Sequence, residues 1–232
     1  MDLDAQRIFG ISAAASTPKP PTFVSLPPMN STWDSLRTLV TSAVKSGILG
    51  YPFLMSGAVG GDYHFTRNTT KMMTFYSLDS PPLPSKELYI RWMQIAIFLP
   101  SMSFVHLPLD YQDPYVTDVM KDLMNTRQKT VIPVLKKFLK ESLNNGLPLI
   151  RPMWMLDPYD YNCININDEF TIGDELLVAP IMEEGSEIYL PAGVWQDGID
   201  GTIRKGNIWL HQYKVPKEKI AYFVKMPNNT RF

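Results

Sequence analysis

Three successive units of helix followed by apolar run constrain this chain more than any other feature. Asn30 or Ser31 can cap a first helix, and Asp34 falls in its first turn. Leu36, Leu39, Val40, Ala43 and Val44 then recur at helical spacing up to Gly47. Ile48 to Leu54 reads as a buried strand, and the polar, Gly-bearing stretch from Gly57 to Asp79 as a long loop above its end. Pro81, Pro82 and Pro84 lead through Ser85 into a second helix, with Leu88, Trp92, Ile95 and Ala96 on one face. Phe98 to Phe104 is the next expected strand and exit loop. A third helix is predicted over most of 113–144, with Val131, Leu135, Phe138, Leu139 and Leu143 as its apolar stripe. Lys136, Lys137 and Lys140 form its solvated side, and Asn144-Asn145-Gly146 stops it. Leu147 to Trp154 is expected to be the last strand of this series. Such alternation is the pattern of an α/β barrel, of which about half is present.

The texture changes after Asn167. Leu176–Ile181, Ser186–Leu190, Gly193–Gln196, Ile208–His211 and Ile220–Val224 are short apolar or alternating runs separated by Gly, Pro and Asp turns. That is the pattern of a small β-sandwich. At the other end, the Ala-Ser-Thr-Pro stretch of residues 13–21 has no periodicity, and Phe23, Val24 and Leu26 form at most a strand remnant. The expected division is a disordered tail over 1–28, a partial barrel over 29–165 and a β-sandwich over 166–232. The fold class is α/β plus all-β.

Composition removes several functions. The net charge of −1 gives no nucleic-acid footprint and no polybasic membrane patch. No apolar run reaches the roughly 18 residues of a membrane span, and Asp2 and Asp4 stand where a secretory signal would need apolar residues. Asn30, Asn68 and Asn228 nevertheless head N-glycosylation triplets. Cys163 is the only cysteine and reads as a buried, idle thiol. His64, His106 and His211 lie too far apart for a metal or nucleophile motif, so neither metal nor cofactor is expected.

The stretch Gly50-Tyr51-Pro52-Phe53-Leu54-Met55-Ser56-Gly57-Ala58-Val59-Gly60-Gly61 is an apolar run ending in a Gly-rich turn. An α/β barrel presents its chemistry at such strand ends. This stretch, Arg91-Trp92-Met93-Gln94, Pro148–Trp154 and the block Gly173-Asp174-Glu175-Leu176-Leu177-Val178-Ala179-Pro180-Ile181 with Tyr189-Leu190-Pro191-Ala192-Gly193-Val194-Trp195 together resemble the C-terminal part of glycoside hydrolase family 31. The resemblance spans about residues 31–224. It implies a (β/α)8 barrel followed by a β-sandwich, and an ancestry in the retaining hydrolysis of α-glycosides.

That chemistry needs two carboxylates across the scissile bond. By the resemblance, the nucleophile lies on an earlier barrel strand, before this chain begins. The acid/base position falls near Pro27-Pro28, and a third, sugar-gripping aspartate is replaced by Gly57. The family's site histidine aligns with Val105, leaving His106 one residue out of phase. Asp62 lies beyond two glycines, and its carboxylate is expected many ångströms from Gly57, in a turn role. Arg91 and Trp92 carry two readings: a surviving sugar platform, or a core tryptophan with an arginine paired to Glu87 one turn away. Asp110, Asp113, Asp157 and Asp160 fall on the expected rim, while Asp174-Glu175 and Glu183-Glu184 read as surface.

The expectation is therefore a hydrolytically silent protein of carbohydrate-enzyme descent with no catalytic residue of its own. Arg91, Trp92 and His106 remain the candidate substrate contacts, and carbohydrate or an anionic small molecule the candidate ligand. The alternatives are a non-enzymatic binding protein, an unstable truncated piece, and an active α-glycosidase working in a larger assembly in which a partner chain completes the barrel. Fewer strands than a closed barrel leave an open edge, through which self-association is expected.

Overall fold

The structure, a computed structural model, describes residues 10–11, 23–64, 73–74, 82–182 and 187–230. Two short strands come first, β1 (Gly10–Ile11) and β2 (Phe23–Ser25). The stretch expected to be disordered through residue 28 thus ends in a sheet strand, because Val24 and Leu26 bury their side chains in the core. Helix α1 spans Trp33–Ile48, and its cap is Thr32 rather than Asn30 or Ser31, the Thr32 hydroxyl accepting from the Ser35 N–H at 3.2 Å. Gly47 does not stop it. The chain leaves the helix through Gly50 N–H to Gly47 carbonyl (2.9 Å) and Tyr51 N–H to Ser46 carbonyl (3.1 Å).

The strand expected from Ile48 is displaced as a result. Ile48 belongs to the helix, Ile48 and Leu49 are exposed, and strand β3 covers Phe53–Ala58, so Gly57 lies within the strand instead of opening a loop. A two-stranded antiparallel ribbon follows, β4 (Tyr63–His64) with β5 (Met73–Thr74). Helix α2 (Lys86–Ala96) starts where expected, directly after Ser85, whose hydroxyl accepts the Leu88 N–H at 3.4 Å, and β6 (Ser101–Ser103) falls inside the run Phe98–Phe104 expected to be the next strand and exit loop. The long helix expected over 113–144 is α3 (Pro114–Thr126) and α4 (Ile132–Asn145), joined by a π-helical segment at Arg127–Val131. Pro133 lacks a backbone donor, and just before it the Ile132 N–H reaches back to the Arg127 carbonyl across the wider turn.

Strands β1, β2, β3 and β6 form one parallel sheet in that order. Burial along β3 alternates: Leu54, Ser56 and Ala58 face the helices, while Phe53, Met55 and Gly57 are half-exposed on the other face. In a closed barrel that second face is the interior.

The remaining elements are β7 (Ile150–Pro152), α5 (Met153–Leu156), α6 (Tyr161–Asn165), β8 (Phe170–Ile172), β9 (Leu176–Ala179), β10 (Ile188–Leu190), β11 (Val194–Asp197), β12 (Ile203–Lys205), β13 (Ile208–Leu210) and β14 (Ala221–Met226). The run expected to be the last barrel strand is β7, and it pairs antiparallel with β8, at the edge of a sheet ordered β12-β11-β14-β9-β8-β7. It belongs with the C-terminal strands, so the change to antiparallel pairing comes before the expected boundary near 165. Strands β10 and β13 form a small second layer.

The six-stranded sheet is buried on both faces. Phe170, Ile172, Leu176 and Val178 share a core with Leu36 and Leu39 of α1 and Trp92 and Ile95 of α2. Leu177, Ala179, Ala221 and Phe223, with Trp195 of β11, face the other way, onto Tyr189 and Leu190 of β10. Two buried guanidinium groups tie the layers. Arg127 donates to the carbonyls of Ile97, of Leu99 (2.7 Å) and of Pro100 (3.0 Å), where the chain turns from α2 into β6. Arg151 joins Glu141 of α4 (2.8 Å) to Asp174 in the β8–β9 turn (2.5 Å) and lies over the Phe138 ring. Asp174 and Glu175, expected at the surface, are partly exposed in that turn and both ion-paired, Glu175 with Lys137.

Because Arg127 serves three carbonyls, replacing it with methionine leaves buried acceptors unmatched. We expect Arg127→Met to cost about 3 kcal/mol, read as a lowered urea midpoint with an unchanged slope. An unaltered midpoint would remove Arg127 from the account of how β6 is held.

Candidate functional site

The loops that follow β2, β3 and β6 gather at the carboxyl ends of the parallel strands, where an α/β barrel builds its site. After β2 the chain runs through Leu26, whose N–H bonds the Met55 carbonyl at 3.0 Å, and through Pro27, Pro28 and Met29 to the start of α1. After β3, Gly61 N–H bonds the Ala58 carbonyl at 3.0 Å and Asp62 N–H the Met29 carbonyl at 2.7 Å. Gly61 has φ +103, and a β-carbon there would stand 2.7 Å from the Ser31 backbone, so only glycine permits this approach.

That fold-back overturns the expectation for Asp62. Its carboxylate is not remote from Gly57. An ideal β-carbon on Gly57 would lie 2.7 Å from Asp62 Oδ2 and 3.3 Å from Oδ1. Oδ2 accepts the Met29 N–H at 2.9 Å and Oδ1 the Ala58 N–H, also at 2.9 Å. The carboxylate therefore clips the β2–α1 loop to the end of β3. Ser103, on β6, donates its hydroxyl to the Gly57 carbonyl at 2.5 Å. The signal for this was present in the Gly60-Gly61 pair, but residue counting treats such a turn as extended chain.

The three candidate contacts do not converge. Trp92 has no exposed surface and packs in the core between α1, α2 and the six-stranded sheet, which rules out a stacking platform. Arg91 donates to Gln94 Oε1 at 3.2 Å instead of pairing with Glu87. It lines a groove of about 660 Å3 together with Trp33, Glu87, Tyr213, Lys214 and Lys217, on the side facing the C-terminal strands. Burial draws the Arg91 guanidinium down from its ordinary value, while the charges of Glu87 and Glu218 oppose this. His106 is 5% exposed and follows β6 in a bend, not on a strand. Its carbonyl accepts the Tyr89 hydroxyl at 2.6 Å, and burial pulls its imidazole below the usual range, against the nearby Asp110 charge and a bond with the Pro82 backbone. A neutral, enclosed ring in such a setting supports the loop.

The rim carboxylates also have structural work. Asp110 accepts the Leu107 N–H (2.7 Å), Asp113 caps α3 and pairs with Lys86 (2.5 Å), Asp157 accepts the Tyr159 N–H (3.1 Å), and Asp160 caps α6 and accepts the Tyr189 hydroxyl (2.5 Å). Cys163 is buried, and burial pushes its thiol up to about 12, which fits an idle role. Asn228 lies exposed in a turn, Asn30 is half-buried beside α1, and Asn68 and the Glu183-Glu184 pair fall outside the described residues. Among the described residues no group of three His, Cys, Asp or Glu is placed to hold a metal ion, and no helix is long and apolar enough to cross a membrane.

A parallel sheet backed by helices, with loops gathered at its strand ends and a β-sandwich after it, defines the closing part of an α/β-barrel enzyme fold. The Glycosyl hydrolases family 31 TIM-barrel domain matches residues 28–136, and the Glycosyl hydrolase family 31 C-terminal domain matches residues 146–227. The SITS-binding protein of Tetronarce californica is 36% identical over 222 residues, which cover 93% of this chain and 30% of that protein. The myogenesis-regulating glycosidase of Mus musculus is 34% identical over 207 residues, covering 87% of this chain and 28% of that protein. The chain belongs to glycoside hydrolase family 31 and spans under a third of either relative's length. In fold it is similar to a GH31 alpha-xylosidase from a soil metagenome complexed with xylose (TM-score 0.72, 23% identity, 88% of this chain and 32% of that one). The Flavobacterium johnsoniae GH31 dextranase complexed with glucose is similar to the same degree (TM-score 0.72, 24% identity, 88% and 25%).

One buried acid has a measurable consequence. Glu169 accepts the Tyr189 N–H through Oε1 at 2.8 Å, while Oε2 is buried without a partner. Burial raises its carboxyl well above the ordinary 4.5, only partly offset by the Tyr189 bond, and Asp168 adds to the rise. The folded chain thus holds this group protonated where the unfolded chain would ionise it. Its contribution is full below pH 4.5 and is lost as pH rises through the folded value. We expect the melting temperature of Glu169→Gln, relative to the unsubstituted chain, to be higher at pH 8 than at pH 4.5, the rise setting in above pH 4.5. A difference that stays flat across that range would contradict a protonated Glu169.

Proposed function

We propose that this part of the family 31 fold recognises carbohydrate without cleaving it. Retaining hydrolysis needs two carboxyl groups about 5 Å apart, one to attack and one to pass the proton. Near the family's acid/base position stand Pro27 and Pro28, and neither can donate a proton. At the third acidic position stands Gly57. The carboxylate that does reach the strand ends, Asp62, has each oxygen already engaged by a backbone N–H. That single observation carries the reading, since a lone, tethered carboxylate can accept hydroxyl hydrogens but cannot run a double displacement. The fold adds support: solved structures that share it hold xylose, glucose and, in a dextranase variant, isomaltotriose.

The test is a pair of measurements on the purified chain. Titration with isomaltose, followed by NMR chemical shifts, is expected to give saturable changes around Gly57–Asp62 in the millimolar range, about −4 kcal/mol. Incubation with p-nitrophenyl α-glucoside is expected to release no p-nitrophenol. Turnover that disappears on replacing one carboxylate would end the silent reading, and an isomaltose titration without change would end the carbohydrate reading.

A second ligand class has its own observation. Arg91, Lys214 and Lys217 line one groove, and one relative is named for binding SITS, a stilbene disulfonate. An aromatic sulfonate is the matching probe there. Quenching of tryptophan fluorescence by such a probe, weakened in Arg91→Gln, is the expected result, and equal quenching in both proteins would reject it. The half-exposed face of Phe23, Phe53 and Met55 further supports association through the open sheet, with a second copy or with a chain that completes the barrel.

A further inference from the structure

We infer that the cavity between the end of α1 and the α5–α6 segment binds an amphipathic anion, an aliphatic carboxylate, with Lys45 and Glu169 meeting its head and exposed apolar side chains its tail. The site is separate from the carbohydrate reading. It lies at the carboxyl end of α1, whereas the strand-end loops gather at the other end, about 24 Å away at the rise of an α-helix.

The cavity has a volume of about 300 Å3, within the range of small-molecule sites. Its walls are apolar. Ile48 and Leu49 leave 50% and 57% of their surface exposed, and across the cavity Trp154 of α5 and Ile164 of α6 leave 41% and 52%. Apolar side chains scattered singly over a surface need no account, but four large ones around one cavity form a patch that a ligand can cover. The two ionisable groups that line the cavity are Lys45 and Glu169. Lys45 is exposed, and among the described residues no carboxylate pairs with it. Glu169 is 4% exposed; its Oε1 accepts the Tyr189 N–H, and its Oε2 is buried without a partner. Burial keeps that carboxyl protonated, and with Oε1 occupied as an acceptor the proton sits on Oε2. Both groups are therefore donors, and Lys45 adds a positive charge. A carboxylate head supplies an oxygen to each and the charge that Lys45 lacks. An ammonium head would meet Lys45 as a like charge, and a sugar would set its hydroxyls against four apolar side chains. The neighbouring cavity carries Arg37 and Asp168, whose opposite charges leave this preference in place.

Calorimetric titration with decanoate, kept below the concentration at which it forms micelles, tests the site. One saturable site is expected, with a Kd on the order of 0.1 mM for a tail that is partly buried. Decyltrimethylammonium, with the same tail and the opposite charge, is expected to bind at least about tenfold more weakly. Two substitutions at exposed positions, Lys45→Met and Ile164→Asp, are expected to leave the melting curve cooperative. Lys45→Met should raise the Kd for decanoate about fivefold by removing the charge partner. Ile164→Asp should raise it at least about tenfold by placing a like charge in the apolar wall. Glu169→Met removes the buried donor and is expected to raise Kd about tenfold; should that variant fail to fold, the two exposed substitutions decide. Equal affinity for the two probes would reduce the cavity to a non-selective apolar patch and overturn the inference. Decanoate binding that is absent, or unchanged in Ile164→Asp or in Lys45→Met, would overturn it as well. Isomaltose binding, present or absent, leaves these outcomes as they stand.

Discussion

The second half of helix α2, Trp92–Ala96, is buried on all sides, and the rest of the architecture follows from covering it. Leu88, Tyr89, Ile90, Trp92, Met93, Gln94, Ile95 and Ala96 are all buried, so no face of its second half is left for water. A helix apolar all round needs packing partners on opposite sides. Here the parallel sheet supplies one side and the six-stranded sheet the other, and the three layers share one core. The one polar member, Gln94, is satisfied across the layers by donating to the Lys217 carbonyl at 2.7 Å. Phe98 and Tyr222 meet across the same boundary, with ring centres 5.6 Å apart. The β-sandwich is therefore part of what lets a few parallel strands hold together, and cannot be treated as an appendage.

The same arrangement explains where the candidate site is exposed. Because α1 and α2 cover one face of the parallel sheet, the opposite face is left to the residues of the other parity: Phe53, Met55 and Gly57 on β3, and Phe23 and Ser25 on β2. At the carboxyl end of that face the backbone turns sharply, and the Asp62 carboxylate is brought back over β3. Burial has the opposite effect on Trp92 and His106. Both serve the core and the β6 loop, and neither reaches the open face.

Much of the fold was legible in local patterns. The stripe of α1, the start of α2 after Ser85, the solvated lysines of α4 and five of the C-terminal strands, β9, β10, β11, β13 and β14, follow from periodicity and turn residues. The same holds for the block from Gly173 to Trp195 that carries the family resemblance. The misplacements share a cause. Ile48 and Leu49 are apolar, so they resemble the start of a strand, yet the backbone bonds of Gly50 and Tyr51 keep Ile48 in the helix and end it there. The run Leu147–Trp154 looks like a barrel strand because a buried strand is apolar whichever sheet it joins. β8 carries Thr171 at its centre and β12 the charged pair Arg204-Lys205, so neither forms an apolar run of its own.

Residue order by itself determined the succession of helices and strands, the change to turn-separated strands in the last third, and the absence of an acid at Pro27, Pro28 and Gly57, because each of these is a matter of local composition and spacing. Tertiary structure alone decided that β7 joins the antiparallel sheet, that Trp92 and His106 are enclosed, and that Asp62 stands at the Gly57 position. Those outcomes depend on long-range pairing and on a chain reversal at Gly60-Gly61. In such a reversal, residues distant along the backbone come within hydrogen-bonding reach, and that proximity has no counterpart in the linear order.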